Sequence, residues 1–398
     1  MALFRCCGGG GTEQAYGMII DNQTSTPASK VVYIDKAEGM TPAYMDYTNN
    51  VFNYGDWGDA FFLPRPCMLL PNGTVDYYLN ANDYTKKMDG TASDIANTSY
   101  TGNAMMEWPR IYWKVKPYGT NSAVIWIADK ALDDGYHAWC NYDKDNVLRA
   151  HFYTPIYNGS LINNTLRSLS GQSIMYSKTA QQEVTYALAN GDRWYTETYA
   201  QRILISMLLM LMGRSTNTQA VFGQGYTGGS ESTVTGGKTG QLNDKGLFWG
   251  SSGTTSHLKV FGMENWWGFQ WRRTAGLYYN SAQKYKLTRG NADGSTATDY
   301  NFDGTGYLTG NAVSGAAGSY ISSMQFRSDG SMLTYQLSGS NSTHYCDWVW
   351  YTTSTGYVLF GMSAGIEANS LESGAFSCDL GDSASAANWN IGAALSYT

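Results

Sequence analysis

A short list of residues in the 398-residue chain has the types and spacing to do chemistry. Asp299-x-Asn301-x-Asp303-Gly304 matches the first half of a calcium loop, whose oxygens would converge on a hard cation. The twelfth position, where a bidentate Glu belongs, is Gly310, and no flanking helices are expected, so the stretch reads as an Asx-rich turn with calcium as a secondary option. Gly236-Gly237-Lys238-Thr239 invites a phosphate-loop reading, but Ser232 stands where the first glycine is required and no apolar helix follows. His137, His151, His257 and His344 share no metal-ligand spacing. No G-x-S-x-G elbow occurs, and no Ser, Cys or His can be singled out as nucleophile and base. Asp133-Asp134-Gly135 is more simply a turn than a carboxylate pair. These observations predict no catalytic centre and no obligatory cofactor.

The densest patch is Phe261 to Gly276, FGMENWWGFQWRRTAG. Trp266, Trp267 and Trp271 with Arg272 and Arg273 have the chemistry to stack a ligand through cation–π contacts. Concentrated Trp more often dominates a core. The favoured reading is therefore buried aromatics against a helix, with Glu264 and Asn265 satisfying neighbouring backbone groups.

The chain closes with SGAFSCDLGDSASAANWNIGAALSYT. Phe376, Cys378 and Leu380 alternate with Ser377 and Asp379, and Trp389 and Ile391 with Asn388 and Asn390, the period of half-buried strands. The intervening Gly381 to Ala387 stretch carries no bulky side chain.

Elements that would position these residues follow from pattern. Lys30 to Ile34 is a strand candidate. Turn signals at Asn72-Gly73, Asp89-Gly90 and Thr101-Gly102 punctuate a β-rich stretch, and Tyr118-Gly119 joins two strand-like runs between Trp108 and Ile127. The strong helix is Glu197 to Gly213, with Thr196 as N-cap and Gly213 as C′, and a weaker one covers Ala180 to Ala189. Its apolar run, Ile203 to Met212, is about half of the ~20 residues that span a bilayer and reads as buried core. Asp329-Gly330 joins Ile321–Arg327 with Met332–Leu337 as a hairpin. Asp347–Tyr351 and Tyr357–Phe360 suggest another pair. No fixed-period repeat argues for a propeller or solenoid.

Charged residues are 15% of the chain against the ~25% typical of soluble domains. A surface rich in Tyr, Trp, Asn, Ser and Gly suits binding loops, and equally a β-rich virion or extracellular protein with packed aromatics. A net charge of −6 without a basic block argues against nucleic-acid partners and anionic membranes. Met1 to Gly11 lacks an apolar core segment, so no signal peptide is expected. Cys6, Cys7, Cys67, Cys140, Cys346 and Cys378 form no C-x-x-C pair, and the last four are expected to be free, buried thiols.

Two stretches carry a resemblance. FGMENWWGFQWRRTAGL, Phe261 to Leu277, resembles the E-N-x-W-G-x-x-W signature of C-type-lectin-fold domains related to formylglycine-generating enzymes. The closing segment resembles the variable region of proteins diversified by retroelements, a class that includes phage tail-tip receptor-binding proteins. Pro64–Lys87 and Tyr199–Gly225 are also similar to segments of phage and prophage tail proteins. The resemblance implies an α+β, mainly β chain: a C-terminal C-type lectin-like domain with one long buried helix, preceded by a small β-rich region. Its division would be 1–50, a Gly-rich attachment and oligomerisation segment; 51–107, small and β-rich; and 108–398, the ligand-binding domain with a variable-type region at 361–394.

Within that domain Glu264, Asn265, Trp266, Trp267, Trp271, Phe376, Cys378, Leu380, Trp389 and Ile391 would be scaffold. Glu367, Asn369, Glu372, Ser377, Asp379, Asp382, Asn388 and Asn390 would face ligand. Oxidase chemistry in the enzyme branch depends on a close C-terminal cysteine pair, which the contexts of Cys346 and Cys378 do not match, so no enzyme is expected. The implied role is a homotrimeric phage or prophage tail-tip protein in the virion, recognising a bacterial surface protein or glycan beside other tail proteins. A structural tail or baseplate protein and a Ca²⁺-dependent carbohydrate-binding module are the alternatives.

Overall fold

A computed structural model describes residues 14–227, 237–279, 285–287, 308–316, 318–351, 356–360 and 372–398. It is α+β and mainly β, with three principal sheets around a long helix. The calcium-loop residues 299–304, the start of the glycine–lysine loop, Cys6 and Cys7 lie outside the described residues.

The first sheet has the order 31–35, 16–20, 122–128, 112–118, all antiparallel. The Tyr118-Gly119 signal closes its last hairpin, with Gly119 and Asn121 at φ +53° and +57°. The second sheet has seven strands in the order 194–196, 395–397, 152–155, 103–108, 65–69, 75–80, 83–87. The third has ten, running 308–309, 285–287, 271–279, 356–360, 378–382, 348–350, 319–326, 332–337, 314–315, with 391–392 paired in parallel to 271–279.

Residues 14–50 and 51–107 have no principal sheet of their own. Strand 16–20 pairs with 31–35 on one edge and with 122–128 on the other, and 103–108 pairs with 152–155. The boundaries expected after 50 and 107 therefore fall within shared sheets, because buried strands such as Asn103–Trp108 need neighbours on both edges.

Every residue of the helix Tyr199–Gly213 is buried, as an all-round apolar helix requires. Its N-cap is Thr198 rather than Thr196, because Gln201 at the third helical position completes a capping box: Gln201 N donates to Thr198 Oγ1 and Thr198 N to Gln201 Oε1. Gly213 is the last helical residue, and Arg214 takes the left-handed position at φ +47°. The weaker helix spans Ala180–Leu188, with a capping box from Thr179 and Gln182.

The Asp329-Gly330 hairpin forms, with Gly330 at φ +93°. Strands Trp348–Trp350 and Gly356–Phe360 do not pair with each other. Cys378–Asp382 is inserted between them, parallel to the first and antiparallel to the second.

Candidate functional site

The frame is built from the Trp-rich stretch. Glu264 is buried and accepts hydrogen bonds from Gly240 N (3.0 Å) and Leu242 N (3.2 Å). Burial pushes its carboxyl above the usual range, and His257 and Lys259 pull it back. Asn265, in the left-handed region at φ +55°, accepts from Leu258 N. Trp266 and Trp267 lie in turns rather than a strand and are fully buried, with Trp267 Nε1 donating to Gly223 O at 3.1 Å. Trp271 opens the strand Trp271–Tyr279 and packs on Ile391. Arg272 and Arg273 are turned inward as well. Arg272 donates to Trp266 O (2.6 Å), and Arg273 pairs with Glu183 (2.7 Å).

The terminal segment is fastened to this frame through its backbone. Trp271 N donates to Asn390 O (3.0 Å), Ser177 N to Asn388 O (3.1 Å) and Ala180 N to Ala384 O (2.8 Å), and Arg273 donates to Ala386 O. The carbonyls are spent inward, Ala386 packs on the Trp271 and Ile391 cluster, and the side chains of Ser383, Ser385 and Asn388 stay exposed.

Phe376, Cys378, Leu380 and Ile391 are buried, Phe376 meeting the Tyr345 ring edge-on at 5.4 Å. Trp389 is only half-buried. Asn388 is exposed, and Asp379, Asp382 and Asn390 are partly exposed. Burial and the neighbouring Asp382 charge push Asp379 up to about 6. Burial also raises Asp382, against the pull of Arg273. Glu367 and Asn369 lie outside the described residues.

Two expected ligand-facing residues are corrected. Ser377 is fully buried, because the strand starts only at Cys378 and the preceding residues form a turn in which Ser377 Oγ donates to Gly374 O (3.1 Å) and accepts from Gly374 N (3.2 Å). Glu372 is 9% exposed, since its carbonyl accepts from Trp348 N (2.9 Å) and the backbone pairing draws the side chain in; burial pushes its carboxyl up to about 7. Asp347 is a buried bracket for the same turn, accepting from Phe376 N (2.8 Å) and Gln219 Nε2 (3.0 Å).

Trp348 and Trp350 beside this segment were not singled out in the sequence. Their alternation around Val349 was a local signal, but their placement next to Asp379 depends on a non-local parallel pairing. Cys67, Cys140, Cys346 and Cys378 are buried thiols that form no disulfide. Among the described residues no three His, Cys, Asp or Glu side chains converge to hold a metal ion, and no helix is long and apolar enough to cross a membrane. The arrangement suits rigid display of polar groups. No family model and no curated protein matches the chain.

Proposed function

We propose that the chain is a non-enzymatic receptor-binding protein of a phage or prophage tail tip, recognising a bacterial surface protein or glycan through its terminal segment on a C-type-lectin-like frame. The observation that carries this reading is a division of labour. Asp379, Asp382, Asn388 and Asn390 reach solvent from a segment whose buried side chains and backbone carbonyls supply the anchoring. Asn388 and Asn390 can be exchanged at low cost in stability, because surface substitutions away from packed or bonded features change little. The resemblance of the Trp-rich and closing stretches to retroelement-diversified lectin-fold proteins supports the same reading.

Small polar side chains make modest contacts, so useful attachment comes from several copies acting together, in a homotrimer held to other tail proteins through the N-terminal region. The test is adsorption of the purified chain to a panel of bacterial cells. The triple variant Asp379→Ala, Asn388→Ala, Asn390→Ala is expected to lose adsorption about tenfold or more while its urea midpoint stays near wild type. Unchanged adsorption of a folded variant overturns the reading and leaves a structural tail role. Loss of glycan-array binding on chelation of the wild type points instead to a Ca²⁺-dependent carbohydrate module.

A further inference from the structure

A tryptophan-bearing face adjoins the terminal segment and has no part in the frame. In the strand Trp348–Trp350, Val349 is fully buried, and Trp348 and Trp350 take the opposite side of the pleat, Trp350 being 39% exposed. Tyr320 stands opposite Trp348 in the next strand, and the rings meet edge-on at 4.9 Å. The two indoles lie 5.5 Å apart at 56°. Gly318, at φ +75°, runs beneath both, and a Cβ there would come within 3.1 Å of Trp350 and 3.5 Å of Trp348.

On the other side Trp350 is in register with Asp379. One strand spacing, about 4.8 Å, separates their backbones. Asp379 Oδ1 accepts from Gly381 N (2.8 Å). Glu372 brings a second carboxyl: it is nine-tenths buried, its Oε2 has no hydrogen-bond partner, and after burial its charge is the main cause raising the Tyr320 phenol. Trp348 Nε1 is likewise buried without a partner. Among the described residues no Lys or Arg pairs with Asp379 or Glu372 or lies over either indole, whereas the nearby Arg273 is committed to Glu183.

We propose that this face is a cation site that takes the guanidinium of an arginine presented by a partner protein, stacked on Trp350 and forked onto the Asp379 carboxylate. The proposal rests on Asp379 facing ligand, and it narrows the receptor to a protein with an exposed arginine. A carboxyl without a counter-cation in register with the exposed Trp350, and a second one near Trp348 and Tyr320, favour a positive ligand. A planar guanidinium can cover an indole and still present two parallel N–H donors to a neighbouring carboxylate, which a compact ammonium cannot. The steep angles between the rings give neither a flat platform nor a parallel sandwich for a sugar ring.

The full chain, labelled with fluorotryptophan, can be titrated with N-acetylargininamide, N-acetyllysinamide and a methyl glucoside, the Trp350 fluorine resonance being assigned through Trp350→Phe. The arginine compound is expected to move that resonance saturably, the lysine compound more weakly and the glucoside not at all. Asp379→Asn should weaken the arginine response about fivefold or more. Should Asp379→Asn fold poorly, Trp350→Leu gives the same comparison, read on the Trp348 resonance. No arginine-induced shift, an equal shift in the variants, or a stronger response to the glucoside overturns the proposal. Adsorption separates it from the broader reading. If arginine binding fails but Asp379→Asn still reduces adsorption, the receptor reading survives with another ligand class; if arginine binds but neither variant alters adsorption, this cation site stands and its part in attachment falls.

Discussion

Glu197, Arg202 and Arg272 form a buried cluster of charges around Trp266. Arg202 donates to Glu197 and, at 2.8 Å, to Trp266 O, and Arg272 approaches Glu197 at 3.5 Å. The Arg202 guanidinium also lies 3.8 Å from the centroid of the Trp266 ring. Burial lowers the pKa of Arg202 to about 9, with Glu197 opposing the shift. One carboxylate thus serves two buried cations, so Glu197→Gln leaves both guanidiniums without their counter-charge and should destabilise the fold by about 3–5 kcal/mol in urea unfolding. A loss below about 1 kcal/mol would show that the Trp266 carbonyl and ring suffice. The sequence made the burial of the neighbouring tryptophans legible, since so many indoles close together have few other places to go. It gave no sign that Glu197 serves two cations: Arg202 stands five residues on in the following helix, but Arg272 is distant in the chain and reaches Glu197 only because its strand packs on that helix.

At the scale of elements, what was legible was local. The Tyr118-Gly119 and Asp329-Gly330 hairpins and the long helix are written in turn residues, caps and apolar runs, and the structure contains all three. The insertion of Cys378–Asp382 between two strands that looked like a hairpin carries no local mark, nor does the turn that buries Ser377. That insertion has a pH consequence. Burial raises Asp347 and Glu372 to about 7 and Asp379 to about 6, and it moves Asp382 in the same direction. A carboxyl with a raised folded pKa contributes stability that is complete below its unfolded pKa of about 4 and lost as pH rises through the folded value. The melting temperature should therefore fall between about pH 5 and about pH 7, and Glu372→Gln should flatten that slope. Lys259 and Lys30, lowered by burial to about 7 and about 8, act in the opposite direction but above this window. Glu107, whose bonds with Arg65, Tyr78 and Tyr153 outweigh burial and keep its carboxyl low, loses its contribution only in stronger acid. A flat profile between about pH 5 and about pH 7 would show that these carboxyls are better solvated than their burial implies.

At the scale of the whole molecule, the last eight residues join two sheets. Ile391–Gly392 pairs with Trp271–Arg272 in the large sheet, and Leu395–Tyr397 enters the seven-stranded sheet between Trp194–Thr196 and Phe152–Pro155. Tyr397 packs against Trp194 and Tyr153, and its hydroxyl lies so close to Gly73, at φ +81°, that a Cβ there would fall 1.8 Å from it. One continuous apolar cluster runs from Tyr16 in the first sheet through the long helix to Leu380 in the third. Among the described residues the three sheets share this cluster and the C-terminal strands, so they are expected to melt together. Tyr397→Ala, which empties a large buried ring from the seven-stranded sheet, should cost about 3–5 kcal/mol. The loss should appear in a single transition, with far-ultraviolet circular dichroism and tryptophan fluorescence giving the same urea midpoint. Separate midpoints, with the fluorescence of the Trp-rich stretch surviving loss of the seven-stranded sheet, would mean that the large sheet and the long helix hold together without the C-terminal strand.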